Sequence, residues 1–354
     1  NDRIAPFQYL TRYNYGGPTN SAQPNYAVFG SPGVSYNGYT SANVPNPNIT
    51  WETAYMKNLG LSFTMFGNKL SGDINYFYQK REDILVTRAA AIPDAAGITL
   101  PAENIGKVDN FGLELEMGWR DQVNDNFSYN FGANFTQAKN EVVYLAEAAD
   151  VPEWRKREGH SMDSYVTYPT AGIFRDQAQV DATPVKLAGT IEGEPIYLDT
   201  DGNGSIDADD RVRAYSSNVP EIQFGVFGGF NYKDFDFSFL FQGQAEAEML
   251  IFFERPGARP DVLFNERWTT DNRNARYPRA YNTGDQYSTN QSGSSANFEG
   301  ADLWLHDASF IRLKQVELGY TFRKEDIKLG DLKVFLRGYN ILTMFSDVAE
   351  LGLD

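Results

Sequence analysis

Residues 110–119 read NFGLELEMGW and residues 126–135 read NFSYNFGANF, and both stretches alternate bulky apolar side chains with small or polar ones. Successive side chains of a β-strand point to opposite faces of a sheet, so each stretch predicts a strand with one apolar and one polar face. The polar segment 120–126 between them predicts a short connection and therefore a hairpin. A soluble sheet that covers a core has the same signature, so this pair alone does not say whether the apolar face meets protein or lipid.

The same alternation recurs along most of the chain. It is clearest at residues 235–242, where the odd-numbered positions 235, 237, 239 and 241 are all phenylalanine. Residues 1–50 are rich in Tyr, Asn, Gly and Pro and predict one strand followed by a long loop. The other predicted strands cover residues 53–66, 69–79, 109–119, 127–137, 222–232, 235–243, 309–322 and 332–342. The long connections between them cover residues 81–107, 139–220 and 245–306.

Short and long connections therefore alternate. This arrangement is typical of outer-membrane β-barrels, in which periplasmic turns are short and extracellular loops are long. The sequence predicts an all-β fold that forms part of a large antiparallel transmembrane β-barrel, with an apolar outer surface and a polar lumen. Five aromatic residues close to the short turns are expected to form a girdle at the periplasmic interface: Tyr78, Trp119, Tyr232, Tyr320 and Phe322.

The composition excludes several classes of protein. No apolar run approaches the roughly 18 residues that a membrane-spanning helix needs. The chain has no Cys and only 2 His, which leaves no disulfide, no thiolate nucleophile and little basis for a His-centred triad. A formal net charge of -16 argues against a nucleic-acid partner, because phosphates would be repelled. We therefore expect neither an enzyme nor a nucleic-acid-binding protein.

One acidic stretch has the spacing of a metal loop. Residues 199–210 read DTDGNGSIDADD and match the twelve-residue calcium loop, with a glycine at its sixth position for the sharp turn. Asp210 stands where a longer glutamate is usual, and Ser205 would contribute its backbone carbonyl. The sequence predicts a structural calcium ion here, with a solvated acidic loop without metal as the alternative. The candidate ligands are Asp199, Asp201, Asn203, Ser205, Asp207 and Asp210.

Several aromatic residues lie in the long loops. There they are expected either to stack on a substrate, to contact a lid protein, or to fill a small core within the loops themselves. The candidates for substrate or lid contacts are Trp154, Tyr165, Tyr168, Trp268 and Trp304.

The chain also resembles a known family, because a series of sequence blocks follows that family's order over nearly all of residues 49–340. The blocks and their order resemble the C-terminal barrel of SusC/RagA-type TonB-linked outer-membrane transporters. The blocks are NITWE (48–52), GNKLSGDINYFYQKREDIL (67–85), NIGKVDNFGLELEMGW (104–119), DTDGNGSIDADDR (199–211), residues 220–241 followed by QGQ, RWTTDN (267–272) and ASFIRLKQVELGYTF (308–322).

The resemblance implies a barrel of about 22 strands in the outer membrane of a Gram-negative bacterium. It implies TonB-dependent import of oligosaccharides or peptides through that barrel, together with a surface lipoprotein lid of the SusD type. The sequence shows no plug domain, no TonB box and no final strands, so we expect this chain to be a part of a barrel that further sequence completes. The alternative is a secreted, soluble all-β carbohydrate-binding module whose aromatic faces pack together.

Overall fold

A computed structural model of the protein describes ten parts of the chain. They are residues 8–16, 26–41, 44–88, 100–148, 151–214, 217–251, 260–280, 300–323, 325 and 330–353.

Strands make up most of the regular structure, and the helices are short. The strands are β1 (Tyr13–Gly16), β2 (Tyr26–Phe29), β3 (Val34–Ser41), β4 (Thr53–Met65), β5 (Leu70–Thr87), β6 (Ala102–Asn124), β7 (Phe127–Tyr144), β8 (Val166–Thr167), β9 (Thr170–Ile173), β10 (Pro195–Tyr197), β11 (Val212–Arg213), β12 (Ile222–Tyr232), β13 (Phe235–Ala245), β14 (Glu248–Leu250), β15 (Leu305–Asp307), β16 (Phe310–Phe322) and β17 (Leu332–Met344). The α-helices are α1 (Gln177–Ala182), α2 (Asp261–Asn265) and α3 (Asp347–Glu350).

Eight strands form one antiparallel sheet in the order β17-β16-β13-β12-β7-β6-β5-β4. The order of these eight strands in the sheet is their order in the sequence. The sheet is therefore a meander, with long insertions between strands at one end. None of the helices in the described part of the chain has the length and apolar character required to cross a membrane.

The register gives this sheet two faces, because residues opposite one another in adjacent strands share a face. Phe237 lies opposite Phe230 on one side and Leu318 on the other, and Leu318 lies opposite Leu336. Within the described residues no second layer covers this apolar face, and Leu59 and Leu336 are 76% and 78% exposed. A soluble module would need these side chains in a closed interior, so that alternative is wrong.

The short connections lie together at one end of the sheet. In the turn between β4 and β5, Gly67 and Asn68 have φ angles of 66° and 70°, in the left-handed region that glycine and asparagine tolerate best. Aromatic rings gather at this end: Tyr320 packs against Phe235 and Phe322, with ring centroids 4.6 and 4.8 Å apart.

The position expected for Tyr78 is wrong. Tyr78 lies opposite Phe111. It is eight positions along β5 from Leu70, the first residue after the short turn. At a rise of about 3.3 Å per residue, that is roughly 26 Å from the short turn, near the opposite edge of the apolar band. Tyr78 therefore belongs to the loop end of the sheet.

Several connections are shorter than expected, because the strands continue beyond the apolar band. β5 runs to Thr87 and β6 begins at Ala102, so residues 81–87 and 102–107 are strand and not loop. Lys80 lies opposite Asp109 on the face that is apolar nearer the short turns. The register then shifts between Arg81 and Ile84 and again between Ile84 and Leu85, so the alternation that marks a membrane-spanning strand is lost.

The remaining strands form small sheets at the loop end. β8 pairs with β11, β9 with β10, and β14 with β15. Residues 1–50 were expected to hold one strand, but three short strands pair there in the order β1-β3-β2. Their aromatic and β-branched residues favour strand, and a tight turn at residues 30–33 joins β2 to β3.

Candidate functional site

The polar side of the eight-stranded sheet, named here the lumen face, is lined mainly by amides, hydroxyls and charged groups. One row across four strands consists of Glu114, Thr136, Gln223 and Gln244, each opposite the next. Asn75 donates a hydrogen bond of 2.9 Å to Glu114 on the same face. Such a surface is stable in water and unsuited to a closed core.

Four charged residues cluster on the lumen face near the short turns. Lys333 Nζ lies 2.8 Å from Asp236 and 3.3 Å from Glu317, and Arg337 also pairs with Glu317. The two cations and two carboxylates balance in charge. Glu317 is nearly buried between them.

A concavity of about 460 Å³ lies beside this cluster. Its lining includes Asn130, Phe227, Ser238, Gln315, Glu317 and Lys333. The wall therefore offers both charged and neutral hydrogen-bonding groups to whatever occupies the inside of the sheet.

At the other end, the two longest connections pack into one unit, named here the loop domain. Asp302 in the second connection accepts a hydrogen bond of 2.6 Å from Thr170 in the first, and its backbone N–H donates to the carbonyl of Tyr168. Arg279 pairs at 3.0 Å with Glu194. Contacts between residues this far apart in sequence hold both connections in one arrangement.

A hydrophobic core lies inside the loop domain. Its buried members are Tyr197, Ile251, Tyr277, Ala301, Trp304 and Leu351. The rings of Tyr277 and Trp304 stack with centroids 6.2 Å apart. Leu351 follows α3, and Arg276 pairs with Glu350 of α3 at 2.9 Å, so the segment after β17 also packs against the loop domain.

The acidic stretch 199–210 folds into a compact loop. Ligand-type oxygens of Asp199, Asp201 and Asp210 lie within 4.8 Å of one another. Asp210 is completely buried and accepts backbone N–H groups of Thr200 at 2.7 Å and Asp207 at 2.8 Å. Such proximity of carboxylates suits a hard divalent cation, which prefers oxygen ligands.

The other predicted ligands converge on the same place. Asn203 donates through Nδ2 to Asp201 and Asp207, at 3.0 and 3.1 Å, and its Oδ1 accepts the N–H of Ser205. Gly204, at the sixth position, has a φ of 84° and supplies the sharp turn. An amide that bridges two carboxylates offsets part of their mutual repulsion, as a bound cation would.

The acidic loop is tied to its surroundings through Arg211. The guanidinium carbon of Arg211 lies 3.7 Å from the centroid of the Trp154 ring, a cation–π contact. Trp154 Nε1 also donates to Asp209 at 3.2 Å. The position of Trp154 therefore depends on the conformation of the acidic loop.

Residues 8–341 match the family described as TonB dependent receptor-like, beta-barrel. The match covers nearly the whole chain and all of the eight-stranded sheet except the last three residues of β17. The chain belongs to this receptor family. Its members are outer-membrane β-barrels of Gram-negative bacteria, so the exposed apolar face meets lipid and the lumen face meets water.

The curated relatives are receptors of the same kind. TonB-dependent receptor P26 of Formosa agariphila is 28% identical over 334 residues, which is 89% of this chain and 32% of that protein. TonB-dependent receptor SusC of Bacteroides thetaiotaomicron is 24% identical over 305 residues, 82% of this chain and 28% of that protein. The chain thus spans about a third of the length of these receptors.

Solved structures share the fold. The RagAB peptide importer in its open-open state matches with a TM-score of 0.65 and 20% identity over 98% of this chain and 35% of that one. A second structure, of the RagAB peptide transporter, matches with a TM-score of 0.63 at the same identity, over 98% of this chain and 36% of that one.

The loop aromatics of this receptor chain divide into two groups. Trp268 and Trp304 are buried inside the loop domain, so their rings do not face a ligand in this conformation. Tyr168 is half-buried against the core. Trp154 and Tyr165 are also half-buried and lie near the surface.

Two histidines lie inside the receptor's loop domain. Burial lowers the pKa of His306 below its ordinary value, and burial together with the nearby charge of Arg213 lowers the pKa of His160. Both imidazoles are therefore held in the neutral form at neutral pH.

Phe77 and Phe227 are among the aromatic residues of the lumen face that break its polar pattern. The ring of Phe77 lies over Gly112 and that of Phe227 lies over Gly132, each glycine in the adjacent strand. A β-carbon at either glycine would meet the ring at 2.6 Å or less. Sequence reasoning missed this; the signal was a lumen-facing glycine paired with a lumen-facing aromatic.

Proposed function

We propose that the complete receptor imports oligosaccharides or peptides across the outer membrane. The observation that carries the proposal is the division of a single sheet into a lipid-facing apolar surface and a lumen face of amides, carboxylates and guanidinium groups. A wall of this kind encloses water inside a membrane, and large barrels leave room for a passage or a plug. The family and the relatives named above support this role.

TonB is the proposed source of energy, acting through a plug that further sequence of the receptor would contribute. The charged cluster of Asp236, Glu317, Lys333 and Arg337 lies on the lumen face near the periplasmic turns. Any element that fills the lower part of the lumen would lie against it.

A surface lipoprotein of the SusD type is the proposed partner at the outer end. The resemblance to SusC/RagA-type transporters implies such a lid. The packed loop domain supports it, because it presents an ordered surface at the end where a lid would rest. Trp154, Tyr165 and Tyr168 are the aromatic residues that we propose for contact with the lid or the substrate.

A structural calcium ion is proposed in the acidic loop. Asp199, Asp201, Asn203 and Asp207 would ligate through side chains, Ser205 through its carbonyl, and Asp210 through its buried carboxylate. The clustered oxygens and the turn at Gly204 support it. The ion would stabilise an extracellular loop, and through Arg211 it would help to fix Trp154.

Uptake by living cells tests the proposed function. A strain that lacks the receptor gene is complemented with the intact gene, and entry of fluorescent oligosaccharides and peptides into the periplasm is measured with and without a protonophore. We expect uptake that depends on the gene and stops with the protonophore. Uptake that continues without a proton gradient would contradict TonB-dependent import.

The matched control is a receptor with its plug deleted, which should leak small solutes with or without the gradient. Deleting the genes for surface lipoproteins of the SusD type separates the partner from the barrel. If uptake of every probe is unchanged without any surface lipoprotein, the lid proposal is wrong while import stands.

A further inference from the structure

The small sheet of β1, β3 and β2 exposes one face on which four tyrosines lie among smaller side chains. The register places Tyr13, Tyr15, Tyr39 and Tyr26 on that face, here named the tyrosine face. Their exposed fractions are 68%, 55%, 72% and 43%. Tyrosines on one side of a sheet usually pack on a core, so four exposed ones need a reason.

The rings are held in a defined arrangement. Tyr15 and Tyr39 lie directly opposite one another, with ring centroids 4.9 Å apart and planes inclined at 42°. The side-chain amide of Asn37 donates a hydrogen bond of 3.0 Å to the hydroxyl of Tyr15. Val28, Ser35 and Asn37 are exposed on the same face. The surface thus combines ring faces with hydroxyl and amide groups.

The three strands carry no charge. None of residues 13–16, 26–29 and 34–41 is Asp, Glu, Lys, Arg or His, in a chain of which 22% is charged. An ionic ligand would find no partner here. A neutral ligand with apolar C–H patches and many hydroxyls would find both kinds of contact, because ring faces attract C–H groups and the side chains between them donate and accept hydrogen bonds.

The size of the face also limits its occupant. A fully buried tyrosine covers about 150–250 Å², so the exposed parts of these four offer roughly 500 Å². A specific protein interface buries about 800 Å² on each partner. The tyrosine face is therefore small for a protein and large enough for a short chain of sugars.

We propose that the tyrosine face binds a neutral oligosaccharide. The face precedes β4 at the loop end of the sheet, where Asn46 and Thr50 are hydrogen-bonded to the start of β6. This end is extracellular in the family, so the site meets ligands before they reach the lumen. The inference rests on the proposed import function and names its substrate class.

Binding to the whole receptor, purified in detergent, tests the proposal. The probes are malto-, cello-, manno- and xylohexaose, with oligogalacturonate and a mixed decapeptide pool as charged comparisons. The test variant combines Tyr13→Ala, Tyr15→Ala and Tyr39→Ala. Tyr36→Ala is the matched control, because Tyr36 lies on the opposite face of the same strand and is equally exposed. The single variant Tyr13→Ala guards against misfolding of the triple variant.

We expect at least one neutral hexaose to bind, the triple variant to weaken that binding at least about tenfold, the single variant to weaken it less, and Tyr36→Ala to leave it unchanged. The proposal is overturned if no neutral hexaose binds, if the triple variant binds as well as the wild type, or if Tyr36→Ala weakens binding equally. It is also overturned if the peptide pool or oligogalacturonate competes for the face more tightly than any neutral sugar.

Failure here is distinguishable from failure of the import function. Energised uptake by the wild type together with unchanged sugar binding in the triple variant would refute the tyrosine face alone. Sugar binding that needs these tyrosines, without gradient-dependent uptake, would refute import and leave the site in place.

Discussion

The six-membered ring of Trp268 lies directly against Gly193, so that a β-carbon on Gly193 would meet it at 2.6 Å. Gly193 has a φ of 85°, and the Trp268 indole donates to the carbonyl of Arg175 at 3.1 Å, which fixes the ring. We expect Gly193→Ala to destabilise the loop domain by about 3 kcal/mol or more, since strain and overpacking add. Limited proteolysis of the loops would report it.

Gly202→Ala is the matched control. Gly202 has a similar φ of 74°, but nothing lies within 4 Å of the position a β-carbon would take. Only the backbone strain of about 1–2 kcal/mol should remain. Equal proteolytic sensitivity in the two variants would show that the contact between Gly193 and Trp268 does not limit which residue position 193 tolerates.

Removing one carboxylate from the acidic loop should weaken calcium binding. Asp201 is exposed, and the hydrogen bonds that it accepts come from Asn203 within the same loop, so Asp201→Asn changes the charge with little effect on the fold of the rest of the receptor. Because affinity follows the number of charged ligands, we expect a loss of at least about tenfold in a calorimetric titration of chelator-treated receptor.

Asp209→Asn serves as its control, because Asp209 is at the eleventh position of the loop and bonds to Trp154 instead. Its affinity for calcium should match the wild type. If no calcium binds to the wild type, or if Asp201→Asn binds equally well, the acidic stretch is a solvated loop.

Mild acid should loosen the loop domain around His306. Burial keeps the folded-state pKa of His306 below the value of about 6.5 in an unfolded chain. Above pH 6.5 both states are neutral and the stability is fully present. As the pH falls, the unfolded chain binds a proton that the folded one does not, so stability is lost.

Hydrogen exchange measures this locally. After correction for intrinsic rates, residues 248–250 and 305–307 should exchange faster at pH 5 than at pH 7.5, and His306→Phe should remove the difference. The pKa of His160 is also lowered, so His160 serves as an internal comparison. Its effect is measured by the exchange of residues 140–144, because the backbone N–H of Val142 donates to the carbonyl of His160. Identical protection of residues 305–307 at both pH values would refute the prediction.

Two adjacent residues of β16 separate the lipid face from the lumen face. Val316 lies opposite Phe239 on the apolar face, and Gln315 lies opposite Leu240 and lines the concavity. We expect Val316→Arg to cost about 2–4 kcal/mol in folding into lipid vesicles, and Gln315→Arg to cost much less. A larger cost at Gln315 would reverse the assigned faces.

The sheet could be predicted from the sequence wherever one face meets lipid and the other meets water. Phe235, Phe237, Phe239 and Phe241 alternate for that local reason. The pattern is lost where a single residue is inserted: the register between β16 and β17 shifts between Leu313 and Gln315, and the phase of alternation changes there.

The loop domain could not be predicted in the same way. Tyr277, Trp304 and Leu351 are distant in sequence, and their burial depends on tertiary contacts that no local pattern reveals. Sequence reasoning proposed Trp268 and Trp304 for ligand contact because an aromatic ring suits both a binding surface and a core. The acidic loop is the exception, because its residues are contiguous and the spacing itself sets the turn at Gly204.

The central claim is that lipid surrounds the outside of this sheet and water fills the inside. This chain has no cysteine, so once any cysteine in the rest of the complete receptor is replaced by serine, single cysteines can be placed at each position from 235 to 242 and studied in vesicles. Cysteines at 236, 238, 240 and 242 should react with a water-soluble maleimide. Cysteines at 235, 237, 239 and 241 should resist it, and a fluorophore attached there should be quenched by lipid-borne spin labels. Equal labelling at consecutive positions, or quenching at the even-numbered ones, would contradict the account.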